Sequence, residues 1–339
     1  MRYWAIDAGG SGTTALLDDG TRWRRGSVNP ASVGATAAEA GLDDLLRTVA
    51  GRLGPAPSAG WLATATLTAD TPEHELDRLT ARVERAGLGG TLVISRDIVP
   101  LLLAPPLSGR GVALVCGTGS GFLAADGTRP PVAVGGCEYL GSDEGSAFAL
   151  GLDGLRAAVR AADGRGRPTA LGPALTEHAG TPVDELARRL AAEPFPKAAV
   201  AALAAVVCRC WLEGDQVAAH VVHRALGELL RGVRAGRDAA GLTTAWSAAL
   251  GGGVLAGCPE LAEALRRRIA GELGADPPPV LVTDPPTAVL AALRAHTGTL
   301  PAAVAGRWAW QRRLTGERPR SAPAPAPPSP WPSADGGPL

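Results

Sequence analysis

The sequence predicts an α/β protein of two related halves, each a mixed sheet flanked by helices, with a ligand cleft between them. Three observations lead there. The first is Trp4 to Leu17, where an apolar, β-prone run meets Asp7, then a Gly/Ser/Thr loop, then a second apolar run ending in an Asp18-Asp19-Gly20 turn. The second is an echo of that stretch from Ala113 to Arg129. Ala5 falls on Ala113, Gly9 on Gly117, and Asp19-Gly20-Thr21-Arg22 on Asp126-Gly127-Thr128-Arg129 after one deletion. The third is that segments of strand and helix period follow one another between the two copies, as an α/β layer requires. A repeat at this spacing points to two domains facing each other rather than to a solenoid.

The elements follow in order. After the opening hairpin, Trp23 to Pro30 reads as a strand end and loop, and Thr36 to Leu53 carries apolar residues at helical spacing (Ala40, Leu42, Leu45, Leu46, Val49). Gly60 to Leu67 is an apolar strand. Pro72 to Ala86 is a helix with proline in its first turn, closed by Gly87, and Thr91 to Ser95 is a strand with Asp97 just past its end. The Pro/Gly/Ser break from Pro105 to Gly111 places the boundary between a first domain, 1–106, and a second, 107–315. The second opens with the echoed hairpin and a loop from Gly135 to Ser146. Helices are expected over Ala147 to Ala162, Thr169 to Glu193 with interruptions, Lys197 to about Arg234, Pro259 to Gly271 and Thr287 to Ala295. Strands are expected at Thr244 to Leu250 and Val280 to Val282. The Ala/Pro/Ser-rich residues 316–339 cannot build a core and are read as a disordered tail.

Composition removes several classes of function. Thirty-three basic residues match 33 acidic ones, so no global field favours nucleic acid or a membrane surface. Aromatic residues, at 4%, are too few for a base-stacking platform. The apolar run from Ala198 to Leu212 is cut by Arg209 and too short to span a bilayer. No signal-peptide pattern opens the chain, so a cytoplasmic protein is expected. The five cysteines form no C-x-x-C pair and are read as small buried thiols.

The two loops point to phosphate chemistry. Glycines at 9, 10 and 12 let the backbone approach a ligand closely, and the hydroxyls of Ser11, Thr13 and Thr14 offer donors to phosphate oxygens. Gly117, Thr118, Gly119 and Ser120 form the second such loop, so two loops would clamp a polyphosphate from both sides. Asp7, at a strand end, is a candidate ligand of hydrated Mg²⁺. Asp97, also past a strand end, is the candidate general base; the alternative is that it caps a helix at 98–103. Asn29 both donates and accepts, which suits a ligand rich in hydroxyls, or it is a turn residue before Pro30. Asp143 and Glu144 sit between glycines at a helix start, where they would contact substrate or favour the helix dipole. Gly251, Gly252 and Gly253 after an apolar strand would let a flat ligand lie against bare backbone, or they form a strand-to-helix turn.

With these motifs in order, the chain resembles the N-acetylglucosamine kinase and BadF/BadG/BcrA/BcrD ATPase families of the acetate and sugar kinase, heat-shock cognate and actin superfamily. The first loop resembles their first phosphate motif, Gly117-Thr118-Gly119-Ser120 the second, and Leu250 to Val254 the adenosine motif. Gly135-Gly136 followed by Ser142-Asp143-Glu144-Gly145-Ser146 resembles their Gly-Gly…Gly-Asp-Glu-Gly-Ser signature, and Gly26 to Pro30 their sugar-binding Gly-x-x-Asn loop. The resemblance implies two ribonuclease-H-like, actin-like ATPase domains with ATP and Mg²⁺ in the cleft. It further implies a sugar acceptor held by Asn29, Gly136, Asp143 and Glu144, Asp97 as base, and a homodimer. Three departures stand out. Arg96 replaces the asparagine before the base, Cys137-Glu138 replaces Trp-Gly, and Ser142 replaces the glycine before the acid. The expected activity is therefore phosphorylation of an amino-sugar hydroxyl, of N-acetylglucosamine or a related sugar. An activator-type ATPase of the BadF kind and a sugar sensor without turnover are the alternatives.

Overall fold

The computed structural model describes residues 1–296 and 298–315; the expected tail lies outside the described residues. The first half runs β1 (Arg2–Ala8), β2 (Thr13–Leu17), β3 (Arg22–Arg25), α1 (Pro30–Val33), α2 (Ala35–Leu53), β4 (Ser58–Thr64), α3 (Glu73–Arg85), β5 (Gly90–Arg96) and α4 (Val99–Leu103). The second begins with β6 (Arg110–Cys116), β7 (Ser120–Asp126), β8 (Val132–Gly135), α5 (Glu138–Gly141) and α6 (Ala147–Ala162). A helical layer follows: α7 (Leu171–Ala179), α8 (Val183–Ala192), α9 (Pro196–Ala202), α10 (Ala204–Leu212) and α11 (Gln216–Ala239). The chain closes with β9 (Ala248–Gly251), α12 (Gly253–Gly257), α13 (Pro259–Leu273), β10 (Val280–Val282), α14 (Pro285–His296) and β11 (Ala309–Leu314). Among the described residues no helix is long and apolar enough to cross a membrane.

The repeat seen in the sequence is a repeat of topology. One sheet has the order β11-β5-β4-β1-β2-β3 and the other β10-β9-β6-β7-β8. In each, the hairpin strands are antiparallel, while β1, β4 and β5, like β6, β9 and β10, run parallel. The single deletion falls in the loop: residues 9–12 join β1 to β2, and residues 117–119 join β6 to β7.

Period-two alternation decides what faces the cleft. In β1, Trp4, Ile6 and Ala8 pack outward with α2 and α3, whereas Ala5 packs inward with Trp61, Ala63 and Val93. Asp7 shares the inward parity. In β6, Val112, Leu114 and Cys116 face the helical layer and Ala113 faces the first half. Between the two sheets lie α4 and α14, whose Leu101, Leu102, Val289 and Leu293 join one apolar cluster with both inner faces. Burying that cluster ties the halves together without filling the space above it.

One boundary expectation is corrected. The expected second domain, 107–315, includes two elements that lie on the first half: α14 packs on β1, β2 and β4, and β11 pairs antiparallel with β5 at the edge of the first sheet. The pattern of β11 hid it. Trp310 and Leu314 are buried, but Gln311, Arg312 and Arg313 give the run the charged character typical of a protected edge strand. The expected strand 60–67 ends at Thr64, the expected strand 244–250 begins only at Ala248, and the loop 135–146 contains the short helix α5.

Candidate active site

A cleft of about 690 Å³ opens between the halves where the parallel strands end. Ligand sites of open α/β sheets form at such carboxyl ends because the loops leaving them converge. The tips of the two glycine loops meet: a Cβ on Gly10 would lie 3.3 Å from Thr118 Cβ. Each loop closes on itself, Gly9 N–H donating to the Gly12 carbonyl at 3.0 Å and Gly117 N–H to the Gly119 carbonyl at 2.9 Å.

Their surroundings differ. The first loop is braced by Ser32 Oγ donating to the Gly10 carbonyl at 2.8 Å. The second is held on every side. N–H groups of Ala147 and Phe148, in the first turn of α6, donate to the carbonyls of Gly117 and Thr118 at 2.9 and 3.2 Å. Asp143 Oδ1 accepts the Ser120 N–H at 2.9 Å, and Ser120 Oγ donates to the Glu144 carbonyl at 2.9 Å. A side chain at Gly119 would put Cβ 2.6 Å from Asp143 Oδ1, so only glycine lets this carboxylate reach the loop. At the third glycine run, Gly252 has φ +110°, and a Cβ there would approach the Cys116 carbonyl oxygen to 2.3 Å. Strand β6 and the strand-to-helix turn are thus packed backbone on backbone, leaving a smooth wall.

The carboxylates come from the first half and from the start of α14. Burial pushes Asp7 up to about 7, with further contributions from Asp97 and Asp284. Burial also raises Asp97, while neighbouring Arg96 acts in the opposite sense. The alternative of Asp97 as helix cap gains no support from α4, which starts at Val99 without a side-chain cap bond. Asp284 is bound by both Arg22 nitrogens, Nη1 to Oδ1 at 2.9 Å and Nη2 to Oδ2 at 2.7 Å, which lowers its pKa. No cluster of three His, Cys, Asp or Glu among the described residues forms a ready metal cage. Mg²⁺ does not need one, since it takes one or two carboxylates and completes its shell with water and phosphate. Mutually repelling acids with a raised Asp7 form a donor set that a divalent cation would relieve, so the residues fit the ion.

Beside the second loop, Lys197 joins the buried Asp143 to the exposed Glu138. Lys197 Nζ lies 2.5 Å from Glu138 Oε2 and 2.9 Å from Asp143 Oδ2. Burial works against its charge, but the two carboxylates hold its pKa above the usual lysine range. Asn29 caps α1, its Oδ1 accepting the Ala31 N–H at 2.9 Å, so its amide NH₂ is the end left for a ligand.

The cleft gathers Asp7, Gly9, Gly10, Ser11, Gly12, Asn29, Asp97, Gly117, Thr118, Gly119, Ser120, Gly136, Asp143, Gly251, Gly252 and Gly253. Two expected residues lie outside it. Thr13 shares the outward parity of Ala8, with which it pairs; it is buried and its Oγ1 has no partner, while Thr14, opposite Asp7, lines the cleft instead. Glu144 is exposed and contributes only its carbonyl, because the positive φ of Asp143 turns the next side chain away. Two further charged residues line the cleft beyond those expected from sequence: Lys197, whose local sequence holds no signal, and Asp284. The repeat could have found the latter. Ser95 and Val282 occupy matching rows, Asp7–Ala63–Ser95 and Val115–Gly251–Val282, so Asp284 is the counterpart of Asp97, two residues on.

Known proteins share this organisation. The N-acetylmuramic acid/N-acetylglucosamine kinase of Clostridium acetobutylicum is 25% identical over 196 residues, 57% of this chain; the match spans 64% of that relative's length. Among solved structures, a candidate N-acetylglucosamine kinase from Porphyromonas gingivalis superposes with a TM-score of 0.68 at 16% identity, covering 87% of this chain and 99% of that one. Another, from Chromobacterium violaceum, gives 0.61 at 22% identity, covering 86% and 98%. The fold is thus the one these two structures share, two mixed sheets flanked by helices. The sequence pattern of the BadF/BadG/BcrA/BcrD ATPase family matches residues 6–274, and the chain belongs to that family.

Proposed function

We propose that the chain is an ATP- and Mg²⁺-dependent kinase that phosphorylates a hydroxyl of an amino sugar, N-acetylglucosamine or a relative of it. The observation that carries the reading is the meeting of two glycine loops over a cleft whose first-half wall ends in Asp7 and Asp97. The loops would hold the polyphosphate through backbone N–H groups, with adenine against the wall of Gly251 to Gly253. Asp7 would hold Mg²⁺, which supplies charge neutralisation at the phosphates. Asp97 would accept the proton of the acceptor hydroxyl as its oxygen attacks the γ-phosphorus and the bridging oxygen leaves with ADP. A carboxylate whose pKa is raised by burial is a better base than an exposed one. The sugar kinase relative supports the acceptor class. The same reading includes a cytoplasmic homodimer.

The test is coupled ADP release with and without N-acetylated and free amino sugars. The proposal expects at least one sugar to raise release well above basal hydrolysis. Release that no sugar changes, with nucleotide bound, would contradict it.

A further inference from the structure

Among the described residues of the cleft, Arg96 is a cation without an ion-pair partner. It ends β5 directly before Asp97 and lines the cleft. Of the other basic residues described there, Arg22 is bound to Asp284, Lys197 lies between Glu138 and Asp143, and Arg24 is exposed. Arg96 Nε is buried with no hydrogen-bond partner, and no carboxylate of the described residues forms an ion pair with the guanidinium. Asp97 feels its charge only through space.

The surroundings leave one direction open. One face of the guanidinium lies against Trp308, with Cζ 5.8 Å from the ring centroid. Its far end crosses to the second half, where a Cβ on Gly136 would sit 3.0 Å from Nη2. The group therefore stands between the candidate base and the Gly135-Gly136 loop, at the acceptor end. A guanidinium presents five N–H donors in a rigid fork, and a buried donor left unpaired is costly, more so when it is charged. Two oxygens of a carboxylate or phosphate match that fork.

We propose that Arg96 binds an anionic group on the acceptor, so that the preferred substrate is an acidic amino sugar bearing a carboxylate or phosphate, not a neutral one. The inference rests on the kinase reading. It makes Arg96 a specificity residue and accounts for its presence where relatives of the resembled type carry asparagine.

The experiment compares three acceptors with the full chain: N-acetylglucosamine, N-acetylmuramic acid and N-acetylglucosamine 6-phosphate. Steady-state transfer is measured for the wild type, R96N and R96K, and binding is titrated with a non-hydrolysable ATP analogue and Mg²⁺ present. The expected result is a preference of about tenfold or more in kcat/KM for one acidic sugar, carried by KM. R96N should remove most of that preference. R96K, which keeps charge but loses the fork, should keep part of it and shows that the site still folds. Which acidic sugar responds identifies carboxylate or phosphate. Turnover of the neutral sugar at equal or better efficiency overturns the inference and leaves the kinase reading standing. A pH-profile shift in R96N that is the same for all sugars, with the acidic-sugar preference unchanged, also overturns it, because Arg96 then only tunes Asp97. If nothing turns over but an acidic sugar binds in an Arg96-dependent way, the anion site stands and the kinase reading falls. If none of them binds, both fall.

Discussion

The two halves of this molecule repeat one strand order and divide the work between them. The second half is the rigid partner. Its loop, 117–119, is fixed by α6 and by Asp143, and Gly252 locks the neighbouring turn against β6. The first half has the longer, more lightly braced loop and the acids. Asp7 stands where the second half has Val115, and Asp97 keeps a buried, raised carboxyl where its counterpart Asp284 is paired with Arg22 and lowered. Duplication thus supplies two similar frames. Substitution at a few strand ends leaves one frame tightly packed and the other carrying raised acids.

The largest expected effect lies at the duplicated aspartates. Asp97→Asn should lower kcat by about 10²–10⁴, the usual contribution of a general base, with the melting temperature close to wild type. Asp284→Asn removes the ion pair with Arg22 and one of its two hydrogen bonds, and should lower kcat less than tenfold. Equal losses in the two variants would break the asymmetry.

Asp7 sharpens it next. An aspartate whose folded pKa is raised to about 7 destabilises the protein progressively as pH rises from 4 to 7, and fully above that. Asp7→Asn should therefore raise the melting temperature at pH 8 and leave it unchanged at pH 4. The same variant should lose roughly tenfold or more in apparent Mg²⁺ affinity. A variant less stable at pH 8 would mean that Asp7 is not strained by burial.

A smaller effect separates the loops. Gly119→Ala must displace Asp143 and should destabilise by about 1–3 kcal/mol. Gly9→Ala, whose nearest neighbour would be the Gly12 carbonyl at 3.6 Å, should fall within about 0.5 kcal/mol of wild type. Urea unfolding reads both. The smallest effect is in pH dependence. If Asp97 is the base proposed above it must be ionised, and kcat/KM should then fall as pH drops through its raised pKa. Removing the opposing charge in Arg96→Asn should move that acid limb to higher pH.

Much of this was legible in the chain. The hairpin and its echo were readable because strands, glycines and acidic turns recur in register, and the deletion sits in the loop, where it does not disturb pairing. Asp7 and Asp97 were readable as acids at strand ends. What failed was parity and distance. Thr13 and Thr14 are equally plausible as letters, and only the pairing of β1 with β2 decides that Thr14 faces in. Glu144 looked equivalent to Asp143 until the backbone turn between them was known. Lys197 meets Glu138 and Asp143 across more than fifty residues, and β11 returns to β5 from the far end of the chain, so neither leaves a local pattern.

The division of labour is tested most directly by titrating a non-hydrolysable ATP analogue with Mg²⁺ into the wild type, Asp97→Asn and Gly119→Ala. The account predicts that Asp97→Asn binds within a few-fold of wild type, because that acid acts on the acceptor, while Gly119→Ala loses tenfold or more. Loss of binding in Asp97→Asn with full affinity in Gly119→Ala would contradict it.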